Sequence, residues 1–140
     1  RERYAGKVSV TIGFDNVLAH KIEAGSDIFL MPSRFEPCGL NQMYSLAYGT
    51  IPVVHATGGL DDTVTQFDPV TGEGNGIKFK EPAATAFLQA IWQALALYRE
   101  KTLWSQLIRN AMIADFTWDR SAREYEQLYR RVVEKKSGHE

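Results

Sequence analysis

The stretch Arg34-Phe35-Glu36-Pro37-Cys38-Gly39-Leu40-Asn41-Gln42 decides the fold of this chain. It follows the apolar run Ile28-Phe29-Leu30-Met31-Pro32 and precedes a segment whose apolar residues recur at helical spacing. An apolar strand, a tight loop with Pro and Gly, and then a helix leave the first N–H groups of the helix without partners inside it. Those N–H groups and the positive end of the helix dipole attract anions. The stretch therefore predicts an anion-binding loop with Glu36 at its edge.

The carboxylate of Glu36 narrows the kind of ligand that this loop suits. Two negative charges at close range repel each other. The repulsion is relieved when a neutral, hydroxyl-rich group lies between them. A sugar attached to a phosphate is such a group, so the stretch indicates a phosphate-linked sugar.

Strands and helices are predicted to alternate along the whole chain. We expect strands at residues 8–14, 28–31, 51–55 and 76–79, and helices at about residues 16–24, 40–48, 61–64, 82–98, 102–114 and 118–132, before a frayed tail at 135–140. Asp15 or Asn16 would cap the first helix, and Gly25 would end it. Its residues Val17, Leu18, Ile22 and Ala24 are expected to face the core, and Phe87, Ile91, Leu95 and Tyr98 to mark the apolar face of the fourth helix.

Such an alternation, joined by short loops, predicts an α/β fold: a parallel sheet with helices on both faces. In sheets of this kind, ligands bind beyond the carboxyl ends of the strands. Phe14, the loop around Glu36 and the turn at residues 57–59 each follow a predicted strand. All of them should therefore lie on one rim.

The composition argues against several classes of protein. With 140 residues, 44% hydrophobic residues and a net charge of −1, the chain suits one soluble domain and gives no reason to expect nucleic acid or an anionic membrane as partner. No apolar run approaches the roughly 20 residues of a membrane helix. The single cysteine excludes an intramolecular disulfide, and the three histidines have no metal-ligand spacing. The chain begins at Arg1 without an initiator Met and without a signal-peptide pattern, as a sequence entered midway would.

Five motifs carry a resemblance to a known family. They are Ile-Gly-Phe at 12–14, Ala-Gly-Ser-Asp at 24–27, Pro-Ser-Arg-Phe-Glu-Pro-Cys-Gly-Leu at 32–40, Tyr-Gly-Thr-Ile-Pro-Val-Val at 48–54 and Thr-Gly-Gly-Leu-Asp-Asp-Thr-Val at 57–64. Together they closely resemble the bacterial glycogen synthase and plant starch synthase family, retaining glucosyltransferases of two Rossmann-like domains with the fold called GT-B. The resemblance implies the later part of the C-terminal domain: a partial nucleotide-sugar-binding Rossmann-like domain at residues 1–115 and a C-terminal helix at 116–140.

The resemblance also implies a function. The chain would be the donor-side part of an ADP-glucose:α-1,4-glucan glucosyltransferase, which moves glucose with retention to the non-reducing 4-OH of a glucan. Its partners would be ADP-glucose, the glucan and the N-terminal domain of the same chain, without a cofactor, a metal, nucleic acid or a membrane. Its location would be the bacterial cytoplasm, or the plastid stroma in a plant. The Arg and Lys that neutralise the departing diphosphate would precede Arg1, so the isolated chain is expected to be inactive.

Glu36 is the catalytic residue that the resemblance implies. It would contact the donor glucose and stabilise the oxocarbenium-like transition state, since a carboxylate beside a cationic sugar centre acts on charge that exists only there. Many related glycosyltransferases carry a second Glu where this chain has Tyr44, as is usual in the glycogen and starch synthase branch.

The remaining site residues are implied in the same way. Amides of Cys38 and Gly39 would bind sugar hydroxyls, amides of Leu40 and Asn41 the distal phosphate, and turn amides of Thr57, Gly58 and Gly59 would lie near the phosphates, while Phe14 would stack on adenine. Plainer interpretations remain open: a solvated loop for Glu36, a small filler or reactive thiol for Cys38, core packing for Phe14 and an ordinary turn at 57–59. His20 is more often structural, and the helix dipole explains Asp61-Asp62 better than a metal does.

Two other functions remain open. Another retaining GT-B glycosyltransferase would use a UDP- or GDP-sugar, and such enzymes usually carry Glu at the position of Tyr44. A non-catalytic module that persists for binding or assembly would be the third possibility.

Overall fold

A computed structural model describes residues 2–137 of the chain. Its elements, in chain order, are a 3₁₀ helix at Glu2–Tyr4, α1 at Asn16–Ala24, β1 at Ile28–Met31, α2 at Asn41–Tyr48, β2 at Ile51–His55, α3 at Gly58–Thr63, β3 at Ile77–Phe79, α4 at Ala84–Arg99, α5 at Lys101–Met112 and α6 at Trp118–Ser137. The frayed tail predicted at 135–140 is helical as far as Ser137, and residues 138–140 lie outside the described residues.

The strands form a parallel sheet in the order β1-β2-β3. Ile28 lies opposite Ile51 in the first pair, and Val53 lies opposite Ile77 in the second. Pro52 is the second residue of the central strand, close to the strand start where proline is tolerated. Because the strands are parallel, their carboxyl ends meet at one edge, as predicted.

Two apolar clusters cover opposite faces of this sheet. The larger cluster joins the sheet to α2, α4 and α5 through Leu46, Ile51, Val53, Phe67, Ile77, Phe79, Ala90, Ala94, Leu97, Trp104, Leu107 and Ala111. The smaller cluster consists of Val54, Leu60 and Val64, with Met31 packed against it. Val53 and Val54 belong to different clusters because successive side chains of a strand point to opposite faces. The prediction of an α/β fold with helices on both faces is confirmed.

The strand predicted at residues 8–14 is wrong. This segment is irregular, and Val10, Ile12 and Phe14 are 57%, 96% and 96% exposed. Alternating β-branched residues fit a pleated surface, but a strand also needs a partner for its backbone groups. Within residues 2–137, β1 pairs with β2 alone, and no strand pairs with residues 8–14.

The core-facing side predicted for α1 is also wrong. Asp15 caps this helix by accepting from the backbone amide of Leu18 at 2.9 Å, and Gly25 ends it, as expected. Val17 and Ile22 nevertheless lie 63% and 53% exposed. The buried residue of α1 is instead Glu23. Helical spacing predicts that apolar residues share a face, whereas the neighbouring element decides which face is covered.

The two longest helices differ from the predictions in detail. The buried stripe of α4 consists of Ala90, Ala94 and Leu97, while the predicted apolar residues beside it are only half-buried. Small alanines let the helix backbone approach the sheet closely, which shifts the contact stripe. The predicted last helix is present as α6, with Tyr125 and Tyr129 exposed. No helix among residues 2–137 is both long enough and apolar enough to cross a membrane.

Candidate functional site

Two loops meet at the carboxyl edge of the sheet. The Glu36 loop, residues 32–40, follows β1. The Gly58 loop, residues 56–59, follows β2; the turn predicted at 57–59 is helical from Gly58 on, so this loop includes the first two residues of α3. A Cβ atom on Gly58 would collide with the carbonyl oxygen of Glu36, and one on Gly59 would collide with the carbonyl oxygen of Cys38. Gly58 also has φ +45°, which disfavours other residues. Glycine at both positions therefore allows direct packing of one backbone on the other.

The start of α2 presents the amides predicted for ligand binding. Gly39 adopts φ +70°, a left-handed conformation that suits glycine. Leu40 precedes the helix, and no side chain caps that end. Among the hydrogen bonds of residues 2–137, none is donated by the amides of Cys38, Gly39, Leu40 or Asn41. Four consecutive donors thus remain available for a ligand.

Gln42 holds the Glu36 loop through hydrogen bonds from its buried side chain. Its side chain is 0% exposed. The amide nitrogen Nε2 lies 3.0 Å from the carbonyl oxygen of Cys38, 3.1 Å from that of Gly39 and 3.1 Å from the hydroxyl oxygen of Thr63. The Thr63 hydroxyl itself donates to the carbonyl oxygen of Gly59. One buried side chain therefore connects both loops. The sequence signal is a polar residue four positions after Cys38, where a helical side chain can reach back to the loop.

His55 joins the ends of all three strands. Its Nδ1 lies 2.8 Å from the carbonyl oxygen of Ser33, and its Nε2 lies 3.1 Å from that of Lys80. The ring is 7% exposed and packs against Phe79. From the sequence, only metal-ligand spacing was considered for His55, and this contact was not predicted. Its position as the last residue of β2, where neighbouring strands also end, is the signal that could have revealed it.

The side chain of Glu36 is partly exposed. Within residues 2–137 it makes no hydrogen bond or ion pair, so it is free to face a ligand above the loop. Phe14 is exposed over 96% of its surface and has no ring contact in the same part of the chain. The structure brings the residues of the two loops together, whereas no hydrogen bond or ring contact among residues 2–137 joins Phe14 to either loop.

Comparison with known proteins identifies the family. The profile of "Glycosyl transferases group 1" matches residues 6–111. This chain belongs to that family. It is 59% identical over 136 residues to the glycogen synthase of Desulforudis audaxviator, covering 96% of this chain and 27% of the relative. It is 55% identical over 136 residues to the glycogen synthase of Thermotoga maritima, covering 96% of this chain and 28% of the relative.

Solved structures agree with this assignment. The catalytic domain of starch synthase IV from Arabidopsis thaliana, solved with ADP and acarbose bound, superposes with a TM-score of 0.75 at 40% identity, covering 87% of this chain and 26% of that one. Sucrose-phosphate synthase from Thermosynechococcus elongatus gives a TM-score of 0.62 at 26% identity, covering 94% of this chain and 31% of that one. The predicted resemblance to glycogen and starch synthases is confirmed. The chain spans 27% of the length of two curated relatives, the glycogen synthases of Koribacter versatilis and Desulforudis audaxviator.

Tyr44 packs against α1. Its ring centroid lies 4.9 Å from that of His20, and the Nδ1 atom of His20 lies 3.1 Å from the hydroxyl oxygen of Tyr48. These contacts connect α1 to α2 and give His20 the structural role expected of it. The thiol of Cys38 is exposed and free.

Asp61, the first of the two neighbouring aspartates in α3, has a basic partner. Asp61 lies in the first turn, and its carboxylate accepts from Nζ of Lys78 at 2.7 Å. The hydrogen bond and charge of Lys78 lower the pKa of Asp61 below its usual value. Within residues 2–137, no group of three or more His, Cys, Asp or Glu side chains is arranged to hold a metal ion. That the reaction needs no metal stays a prediction.

Proposed function

We propose that this chain forms the donor side of the active site of an ADP-glucose:α-1,4-glucan glucosyltransferase. The observation that carries the proposal is the packing of the Gly58 loop on the Glu36 loop, beside the free amides of residues 38–41. Glycogen synthases are its relatives, and the starch synthase IV that it resembles was solved with ADP bound. These likenesses support ADP-glucose as the donor.

Backbone amides hold the donor in this proposal. Cys38 and Gly39 donate to glucose hydroxyls, while Leu40 and Asn41 donate to the distal phosphate. The partial positive charge at the start of α2 favours the phosphate further. Of the amides predicted to lie near the diphosphate, that of Gly58 donates no hydrogen bond among the described residues and can approach it, whereas those of Thr57 and Gly59 already donate to the carbonyl oxygens of His55 and Glu36. Only backbone groups are needed for these contacts, and glycine allows the backbone to approach the ligand closely.

The reaction transfers glucose with retention. The bond between the anomeric carbon and the phosphate oxygen breaks, and the non-reducing 4-OH of the glucan attacks the same face. The leaving phosphate oxygen takes the proton of that hydroxyl. Glu36 stabilises the positive charge that develops on the sugar between these events. Because this charge is small in the ground state, the carboxylate acts mainly on the rate.

The charge of Glu36 can be tested directly. In the full-length enzyme, we expect Glu36→Gln to lower kcat by more than about tenfold, as deletion of comparable electrostatic groups does. Glu73→Gln is the matched control, because Glu73 lies exposed in the loop before β3 and away from the two loops. A fall in kcat below tenfold for the Glu36 variant would contradict a role in the transition state.

The identity of the nucleotide in the donor substrate needs its own test. The likeness to a sucrose-phosphate synthase keeps other nucleotide sugars open, whereas Tyr44 in place of Glu favours ADP-glucose. Isothermal titration of the full-length enzyme with ADP, UDP and GDP distinguishes them. Tightest binding of ADP supports the proposal. Preference for UDP or GDP points to a different retaining glycosyltransferase, and binding of none points to a non-catalytic module.

We further propose that the 140 residues alone do not transfer glucose. Their relatives are glycogen synthases more than three times as long, so most of each relative has no counterpart in this chain. Incubation of the isolated chain with ADP-glucose and a glucan primer tests this. Any elongation of the primer above that of a Glu36→Gln control would contradict it.

A further inference from the structure

The buried side chain of Gln42 has one polar atom without a hydrogen-bond partner, which a purely stabilising role does not explain. Its Nε2 faces three oxygen atoms, while its Oε1 is buried without a hydrogen-bond partner among the described residues. Leaving a buried acceptor unpaired is unfavourable, and such departures from local rules concentrate at functional sites. Gln42 contacts the Glu36 loop directly and the Gly58 loop through Thr63, so its role concerns these two loops.

Hydrogen-bond chemistry determines which way the Gln42 amide points. The carbonyl oxygens of Cys38 and Gly39 can only accept, and the Thr63 hydroxyl already donates its hydrogen to the carbonyl oxygen of Gly59. All three atoms near the Gln42 amide therefore need a donor. The NH₂ group must face them, and the opposite orientation would set oxygen against oxygen.

Because the peptide bond is planar, fixing the direction of a carbonyl group also fixes the direction of the N–H group in the same peptide plane. In a trans peptide, the carbonyl and the N–H point in opposite directions. The Cys38 carbonyl shares its peptide plane with the Gly39 N–H, and the Gly39 carbonyl shares its plane with the Leu40 N–H. When Gln42 holds both carbonyls on the buried side, both N–H groups must point outward. These N–H groups have no acceptor among the described residues.

We propose that Gln42 is a positioning residue for the donor substrate. It holds the peptide planes that precede Gly39 and Leu40, so that their N–H groups face the glucose hydroxyls and the distal phosphate. Through Thr63 it also keeps the Gly58 loop in place against the Glu36 loop. The inference rests on the proposed function, since the amides that it orients are those assigned to the donor.

The packing around Gly39 agrees with this role. A Cβ atom at residue 39 would lie 2.5 Å from Oε1 of Gln42. Glycine at this position therefore lets the buried amide approach the backbone that it orients. Gln42 and Gly39 act as a pair: one supplies the donor, and the other supplies the space.

The test compares Gln42→Met with Thr50→Val in the full-length enzyme. Methionine keeps most of the volume and removes the amide. Thr50 is a matched control, because it is buried and its hydroxyl oxygen lies within hydrogen-bond distance of two backbone carbonyl oxygens, 2.6 Å from that of Glu23 and 2.9 Å from that of Ser26, at the opposite edge of the sheet. Urea unfolding of both variants measures the purely structural effect.

We expect Gln42→Met to lower kcat/KM for ADP-glucose by about 100-fold, the size typical of misplaced binding groups, and to raise the Kd for ADP. The KM for the glucan primer should stay within about twofold of the unmodified enzyme, since the amides contact only the donor. Thr50→Val should leave kcat/KM for ADP-glucose within about twofold of the value for the unmodified enzyme. If both variants lose kcat/KM equally, or if donor and acceptor KM rise together, the positioning role is wrong.

A second variant covers the case in which Gln42→Met does not fold. Thr63→Val removes only the hydroxyl between Gln42 and Gly59, and should lower kcat/KM for ADP-glucose by about fivefold, on the scale of one hydrogen bond. An unchanged kcat/KM would contradict the link between the loops. Failure of the proposed function is distinguished by the unmodified enzyme: if it neither binds ADP nor uses ADP-glucose, the assignment of the donor fails, whatever the variants do.

Discussion

The backbone amide of Gly59 donates a hydrogen bond to the carbonyl oxygen of Glu36 at 3.1 Å. This bond joins the loop after β1 to the loop after β2, although the two residues lie 23 positions apart in the sequence. It connects the proposed catalytic residue to the turn proposed to bind the diphosphate. The relative position of the two groups therefore depends on a close approach of backbones.

That close approach predicts the effect of a single methyl group. Gly58→Ala would place a Cβ against the carbonyl oxygen of Glu36 and also hold alanine at φ +45°. Gly72→Ala is the matched control, since it has φ +73° but its Cβ would lie 3.7 Å from Gln106, an ordinary contact. The left-handed conformation alone costs about 1–2 kcal/mol. We expect urea unfolding to show a larger loss for Gly58→Ala than for Gly72→Ala. Equal losses would mean that the loops separate easily.

The contacts of His55 predict that its replacement lowers the free energy of unfolding. Replacement by Leu leaves the carbonyls of Ser33 and Lys80 without the imidazole that contacts them. Loss of a hydrogen-bond donor at a part-buried carbonyl costs about 1 kcal/mol. The free energy of unfolding in urea should fall accordingly. His20→Leu is the comparison, because its partner, the Tyr48 hydroxyl, is exposed and can bind water instead. A similar loss for both variants would contradict the role of His55 at the strand ends.

Glu23 predicts a dependence of stability on pH. Burial raises the pKa of its carboxyl above the ordinary value of 4.5, against a smaller opposing effect of His20. A raised pKa means that the folded state binds the proton more tightly than the unfolded state does. The ionised carboxylate therefore lowers stability at pH 7, and this penalty disappears as the pH falls toward 4.5.

Glu23→Gln should accordingly raise the free energy of unfolding at pH 7. The advantage should shrink as the pH falls and be absent well below pH 4.5, where both states of the unmodified chain are protonated. Urea unfolding at several pH values measures it. Glu81→Gln, at an exposed position before α4, should give no such trend. An advantage that does not vary with pH would show that the charge of Glu23 is not its cause.

Phe14 predicts an effect on binding without an effect on folding. If its ring stacks on adenine, Phe14→Ala in the full-length enzyme should raise the Kd for ADP by about tenfold, the lower part of the range for base stacking. Ile12→Ala is the control from the same segment, because Ile12 is also 96% exposed. Neither change should alter the free energy of unfolding by more than about 0.5 kcal/mol. Equal Kd values for the two variants would exclude stacking by Phe14.

Some elements of this fold could be predicted from the sequence pattern, and others could not. The apolar runs at Ile28–Met31 and Ile51–His55 are strands, and α2 ends at Tyr48, as predicted; the structure adds the left-handed conformation of Gly49 after it. The pattern at residues 8–14 was as regular, but no described strand pairs with it. The two loops at the carboxyl edge could be predicted because parallel strands end together. The contacts of Gln42 and His55 could not, since their partners lie on other elements.

The sequence by itself determined the local features of this chain. Capping by Asp15, the left-handed turns at Gly39 and Gly49 and the motif around Glu36 act within a few residues, where side-chain chemistry and backbone sterics suffice. The tertiary structure decided which surfaces are covered and which buried groups meet. The bonds from Gln42 to Thr63 and from His55 to Lys80 span 21 and 25 positions. Such contacts form only when the order of the strands has brought distant segments together.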